Sequence, residues 1–331
     1  MTTARLRPFT AEVGSVVLNY DTPDDTLEAV ASLMRSSWLD QHVVVVDNST
    51  DPAERERLSA GLPGSVSYLP TGENLGYAAG NNRGIELLLD GGVEYVLVVN
   101  PDARVEGGTV EGLVRTAQRV GDAGFVGPRI VHGGSSPATV QSDGGRVDWS
   151  LGGATRHAAG GVRLEEAPHG IDHVDYVTGA CALLRRRMLE DVGLMPEDYF
   201  LYFEETEHAL AAAKRGWACV VDRDVRAHHY RRSTATVPSR AYVYYMTRNR
   251  AVFASRHCGE ADAVDRAYAH LDETFLEPWA LLVEERAPAL SPAFAQVVAV
   301  AKEHGRRGVT GRFEGLEEFG VDDVAGWDDG R

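Results

Sequence analysis

The stretch VGSVVLNYDTPDDTLEAVASLM, residues 13–34, decides the fold. From Val13 to Asn19 it is rich in β-branched residues, which reads as a buried strand. Thr22 then stands as an N-cap, Pro23 takes the first helical position, and Leu27, Val30, Ala31 and Met34 share one helical face. The same alternation continues outward through VVVVD (43–47), VSYL (66–69), a helix over 80–90, a strand over 95–99 and a helix striped by Val110, Leu113, Val114, Ala117 and Val120. Such alternation predicts an α/β fold, a Rossmann-like and mostly parallel sheet flanked by helices, with ligands at the carboxyl ends of the strands.

Polar residues follow three of these strands directly: Asn19-Tyr20-Asp21, Asp47-Asn48-Ser49 and Asn100-Pro101-Asp102. A single acid there reads as a cap or turn residue; three clusters on one rim predict a pocket. Pro101 fixes a backbone dihedral beside Asp102. An acid so held suits Mg2+ or Mn2+ on a diphosphate, because these ions take one or two carboxylates and fill the remaining positions with phosphate and water. LNYDTPDD contains no glycine and no basic residue, which argues against the triphosphate loop of a sugar nucleotidyltransferase. It also lacks the G-x-G-x-x-G of a nicotinamide dehydrogenase.

The 331 residues carry a formal charge of −16, with 44% hydrophobic and 25% charged residues. That balance fits a folded globular chain and argues against a nucleic-acid partner. Three cysteines without a Cys-x-x-Cys pattern suggest neither a disulfide framework nor a zinc ribbon. The opening MTTARLRPFTAEV has no leader-like apolar stretch, and no transmembrane segment of about 18 apolar residues occurs, so a cytoplasmic location is expected.

Residues 131–172 are rich in Gly and Ser and read as a loop-and-strand excursion, with Val147, Trp149 and Leu151 alternating as in a hairpin strand. A strand and short helix follow in VDYVTGACALLRRRML. An acidic helix start then leads to an alanine-rich helix ending at Gly216, and WACVV (217–221) reads as a strand. Residues 239–257 read as a long helix, with further helices near 261–285 and 291–304 and an acidic tail behind them. The expected division is a domain over 1–258, with a nucleotide-binding half at 11–125 and an acceptor half at 126–258, and a helical C-terminal extension over 259–331.

The blocks VVLNYDTPDDTLEAV, VVVVDNSTD, NLGYAAGNNRGI, VVNPDARV, VTGACALLRR, DYFLYFEETEHALAAAKRGW and YYMTRNR, in this order and spacing, resemble the bacterial family 2 glycosyltransferases of GT-A type, especially the rhamnosyltransferase-like branch. The resemblance covers residues 11–255. It implies an inverting transfer from a dTDP- or UDP-sugar, dTDP-L-rhamnose favoured, to the hydroxyl of a glycan or small-molecule acceptor. Asn100-Pro101-Asp102 takes the place of the usual D-x-D motif, with Asp102 a ligand of Mn2+ or Mg2+ and Asn100 beside the ribose. Tyr20 corresponds to the aromatic that stacks on the base, and Asp47 to the acid that accepts a pyrimidine N3–H. Asn74 and Asn81 either touch the nucleotide or serve as turn and cap residues.

Glu205 inherits the general-base position, one methylene longer than the family's aspartate. Glu204 and Glu207 either take part in the site or merely satisfy the helix dipole. His228, preferred over His229 by its distance from Ser233, completes the metal site, while Arg231 and Arg232 either reach the diphosphate or stay solvated. The departure at Glu205 leaves open a non-catalytic nucleotide-sugar-binding subunit, and the C-terminal helices leave open a homodimer.

Overall fold

The computed structural model describes residues 4–230 and 237–319; Arg231, Arg232 and the acidic tail lie outside the described residues. The strands are β1 Val13–Asn19, β2 Gln41–Asp47, β3 Ser67–Pro70, β4 Tyr95–Val99, β5 Ala103–Val105, β6 Ala123–His132, β7 Val140–Ser142, β8 Gly145–Asp148, β9 Ala154–His157, β10 Ile171–His173, β11 Cys181–Arg185 and β12 Ala218–His229. The helices are α1 Pro23–Met34, α2 Pro52–Gly61, α3 Tyr77–Asp90, α4 Thr109–Arg119, α5 Arg186–Val192, α6 Glu204–Ala213, α7 Arg240–His257, α8 Ala263–Leu271, α9 Glu277–Arg286 and α10 Ser291–Arg306.

The main sheet runs β10-β12-β6-β11-β4-β1-β2-β3, and β1 lies parallel to both β2 and β4. Asn19 is in register with Asp47, and Val17 with Val99, so the polar clusters after β1, β2 and β4 share one rim, as expected. Antiparallel β11 pairs Cys181 with Val99, which brings the turn before it to that rim as well. β12 runs parallel to β6 and ends there with His228 and His229. The strand expected over 217–221 is longer in the structure and runs to His229.

Helix α1 turns a different face inward from the one its large residues suggest. Thr26, Ala29, Val30 and Leu33 are buried, while Met34 is 46% exposed. Both sets have helical spacing, but the set with small Thr26 and Ala29 lets the helix approach the sheet more closely. Close approach also explains Gly84 on α3, where a Cβ would stand 2.6 Å from Val16 and 3.0 Å from Val46. Each fully buried Val or Leu of this core contributes about 1.5–3 kcal/mol. Trp149 and Leu151 do not continue a hairpin strand: Trp149–Leu151 is a 3-10 turn, capped by Asp148 accepting from the Ser150 N–H and closed by left-handed Gly152.

The chain divides into two compact units. The first comprises residues 1–146, 157–196 and 205–232, and the second 147–156, 197–204 and 233–331. That division differs from a single cut at residue 258, because α7 and two earlier segments group with the C-terminal helices. Within the second unit, buried Asn249 donates from Nδ2 to the carbonyls of Tyr199, Leu201 and Tyr202 at 3.2, 2.7 and 3.0 Å. Arg248, also buried, donates to the carbonyls of Tyr199 and Gly311. These bonds hold a segment in which Phe200, Tyr202 and Phe203 have φ of 68°, 67° and 79°. Side chains avoid that region unless their surroundings impose it. Among the described residues no helix is long and apolar enough to cross a membrane.

Candidate active site

The rim begins with Asn19, whose side chain ties three elements together. Its Nδ2 donates to Asp47 Oδ1 at 2.8 Å and to Ser49 Oγ at 2.7 Å, while its Oδ1 accepts from the Thr26 hydroxyl at 2.7 Å. Asp47 is fully buried and also accepts from the Ser49 N–H and the Tyr68 hydroxyl, the latter at 2.5 Å. Burial and the Asp47 carboxylate together push the Tyr68 phenol far upward, so it remains a donor. A carboxylate has about four acceptor positions, and three here are taken. Tyr20 lies partly exposed on the same rim, beside Asp21 with φ 51°.

The block NLGYAAGNN forms the entry to α3. Asn74 accepts from the Gly76 N–H, a turn role, and Asn48 donates to the Gly76 carbonyl. Asn81 donates to the Tyr77 carbonyl, but its Oδ1 is buried without a hydrogen-bond partner. An acceptor in that state costs about 1–3 kcal/mol unless a donor arrives. The adjacent Asn82 is structural, its amide exchanging two bonds with the Met195 backbone.

Asn100, Pro101 and Asp102 make the turn between β4 and β5, closed by the Ala103 N–H on the Asn100 carbonyl. Arg104 clamps it, donating from Nη1 to the carbonyls of Pro101 and Ala103 at 2.7 and 2.8 Å. Asp102 Oδ1 meets the imidazole Nε2 of His229 at 2.9 Å. His228 instead pairs with Glu106 at 2.9 Å. The structure thus sets His229, and not the expected His228, beside Asp102: β12 is extended there, successive side chains leave opposite faces, and His229 is the one on the Asp102 side. One carboxylate, one imidazole and a diphosphate make a donor set that Mn2+ tolerates better than Mg2+. Among the described residues there is no cluster of three or more Asp, Glu, His or Cys side chains that could hold a metal ion by itself.

The centre of the site is a turn that sequence reasoning quoted but gave no role, Thr178-Gly179-Ala180. Glu205, at the start of α6, accepts from the Gly179 N–H at 3.2 Å. From the other side the Tyr77 hydroxyl donates to the Gly179 carbonyl at 2.9 Å, and the Asn100 N–H bonds the Ala180 carbonyl at 3.0 Å. A Cβ on residue 179 would lie 2.4 Å from Tyr77 Oη and 3.0 Å from Glu205 Oε1, so any larger residue there displaces the tyrosine hydroxyl. Burial raises the Glu205 pKa, opposed by its own and the Gly179 backbone N–H. One turn of α6 on, His208 is buried against Phe125 and donates to the Gly193 carbonyl, and burial lowers its pKa to about 4. It is a neutral packing residue.

Comparisons with known proteins bear on this geometry. The family model "Glycosyl transferase family 2" matches residues 15–193. A low-salt glycan biosynthesis hexosyltransferase, Agl10, from Haloferax volcanii is 25% identical over 92% of this chain and 94% of its own. An N-acetylglucosaminyl-diphospho-decaprenol L-rhamnosyltransferase from Mycobacterium tuberculosis is 28% identical over 74% of this chain and 84% of its own. Among solved structures, GalNAc-T7 with UDP, GalNAc and Mn2+ aligns with 93% of this chain at a TM-score of 0.57 and 13% identity, and this chain spans 57% of that longer one. At that identity the likeness bears on fold alone, and the fold is GT-A.

Proposed function

Since the chain belongs to glycosyl transferase family 2, we propose that it moves a sugar from a UDP- or dTDP-sugar to an acceptor hydroxyl with inversion, Glu205 acting as general base. That it is a glycosyltransferase of the hexosyltransferase kind follows from the family and the relatives. The observation that carries the finer reading is the 178–180 turn, which ties Glu205 to the same short segment as the Asn100-Pro101-Asp102 turn.

In an inverting transfer the acceptor oxygen attacks the anomeric carbon from the face opposite the diphosphate, and a base takes the hydroxyl proton. Burial makes Glu205 a stronger base than an exposed carboxylate, while two backbone N–H groups keep its ionised form accessible. The Gly179 N–H holds its Oε1. Asp102 and His229 would hold a divalent cation; when bound it supplies positive charge against the leaving diphosphate. Asn100 is assigned to the ribose and Tyr20 to the base. Asp47 offers its one remaining acceptor position to a pyrimidine N3–H, which favours uracil or thymine over cytosine. Asn81 offers its unpartnered oxygen to a ligand donor, and Asn74 shapes the turn.

dTDP-L-rhamnose remains the favoured donor, a choice supported by the rhamnosyltransferase relative. That relative's acceptor is a sugar on a diphospho-lipid, so the acceptor panel includes such a glycolipid beside free glycans and small molecules. The test is incubation with UDP- and dTDP-sugars and Mn2+, reading released nucleotide and the anomeric configuration of the product by NMR. A product with retained configuration, or turnover unaffected by Asp102→Ala, overturns the reading.

A further inference from the structure

We propose that Arg104 is a positioning residue that fixes the Asn100-Pro101-Asp102 turn to α1, and that it makes no contact with the donor diphosphate. The inference rests on the reading that Asp102 faces a divalent cation. It starts from the partners of one guanidinium. Nη1 donates to the carbonyls of Pro101 and Ala103 at 2.7 and 2.8 Å, and Nη2 donates to Glu28 Oε2 at 2.6 Å and to Asp25 Oδ1 at 3.4 Å.

Each terminal nitrogen carries two N–H groups, so four of the five donors of the fork are committed. Arginine grips a phosphate through two parallel N–H bonds, and the single N–H left at Nε cannot make that grip. Two carboxylates also face the one positive charge, and the Arg104 side chain is only 12% exposed. An arginine two residues from Asp102 would ordinarily be read as a diphosphate ligand; here its charge and its donors are engaged inside the protein.

The same bonds account for the backbone of the turn. The Asn100 carbonyl accepts from the Ala103 N–H, and the Asp102 carbonyl accepts from the Tyr230 N–H at 2.8 Å. Those of Pro101 and Ala103 are met by Arg104. The guanidinium lies over the Tyr230 ring, 5.6 Å from its centroid, and that ring in turn rests on Gly133, where a Cβ would stand 2.5 Å from it. On the other side Asp25 and Glu28 lie about one turn apart on α1, which starts directly behind the Asn19-Tyr20-Asp21 rim. Val105 adds a second tie to that helix, its N–H donating to Ser32 Oγ at 3.2 Å. Without the guanidinium, two carbonyls of the turn lose that donor, and the Asp102 carboxylate shifts with the backbone that carries it.

The test uses the full chain and two variants: Arg104→Met, which keeps the apolar stem, and Arg104→Lys, which keeps the charge. Mn2+ binding in the presence of UDP, followed by EPR of the free ion, is expected to weaken about 10- to 100-fold in Arg104→Met. In Arg104→Lys the loss should be smaller, because one ammonium cannot reach two carbonyls and two carboxylates together. UDP binding by calorimetry in EDTA is expected to match wild type in both. Thermal melts establish that the variants fold.

Arg104→Met binding Mn2+ as tightly as wild type overturns the inference. So does a loss of UDP affinity in EDTA, which would make Arg104 a ligand of the diphosphate itself. Should Arg104→Met not fold, the same two readings on Arg104→Lys decide. Wild-type protein that binds no Mn2+ even with UDP instead defeats the underlying metal reading, so the two failures are distinct.

Discussion

Replacing Gly179 by alanine tests the centre of the site. No left-handed φ is needed at this position, so the substitution probes contact rather than backbone conformation. The added Cβ would stand 2.4 Å from Tyr77 Oη and 3.0 Å from Glu205 Oε1, short of ordinary contact at 3.4 Å by about 1.0 and 0.4 Å. Moving the tyrosine hydroxyl that far stretches its 2.9 Å bond to the Gly179 carbonyl beyond hydrogen-bonding range, a loss of about 1 kcal/mol. The shift at Glu205 is smaller but falls on the proposed base, and misplacement by about 1 Å can cost up to about 100-fold in rate.

The expected outcome is kcat lower by about 10- to 100-fold, with donor affinity by calorimetry nearly unchanged. Tyr77→Phe removes the nearest clashing atom, so the double variant Gly179→Ala/Tyr77→Phe should recover part of the lost rate. Initial-rate measurement of nucleotide release over the four proteins of this cycle is the assay. Gly179→Ala at wild-type kcat, or a double variant no faster than the single, refutes the reasoning.

Glu205→Gln should lower kcat by about 100- to 10,000-fold and leave donor binding intact. Because the folded-state pKa of Glu205 is raised, the native protein holds more protons than the unfolded chain between the two pKa values, and stability falls as pH rises through that window. Glu205→Gln should accordingly melt higher than wild type at pH 8, the gap closing below the ordinary glutamate pKa of 4.5. His208 has the opposite sign: its pKa drops from 6.5 to about 4, so its contribution is full above 6.5 and declines as pH falls toward 4. By pH 4 that loss is about 3 kcal/mol; urea titrations should show a smaller acid loss in His208→Phe. Asn249→Ala strips three carbonyls of a donor and should cost about 2–4 kcal/mol in urea unfolding; a cost below about 0.5 kcal/mol refutes its role.

The alternation of β-branched runs and helical stripes was enough to read the parallel half of the sheet and its rim, because buried strands and N-caps leave local marks. Tyr95–Val99 was legible to the residue. The inner face of α1 was not, because two stripes share the helical period and the fit of small residues against the sheet chooses between them. His228 was preferred over His229 by counting along the chain, whereas strand pleating decides which one meets Asp102. Gly179 carries little local signal for its contacts, since its partners Glu205 and Tyr77 lie 26 and 102 positions away. The glycine in VTGAC was the one available clue, a backbone kept bare for neighbours that a linear reading cannot see.

The division of the second unit among three stretches of chain has a consequence during synthesis. When a ribosome has just released residues 197–204, it has yet to make α7, whose Arg248 and Asn249 bond that segment's carbonyls. For at least the next 40 or so residues of translation, the rings of Tyr199, Phe200, Tyr202 and Phe203 emerge without those partners. A nascent-chain chaperone is therefore expected to crosslink there, and to let go once the long helix has cleared the exit tunnel.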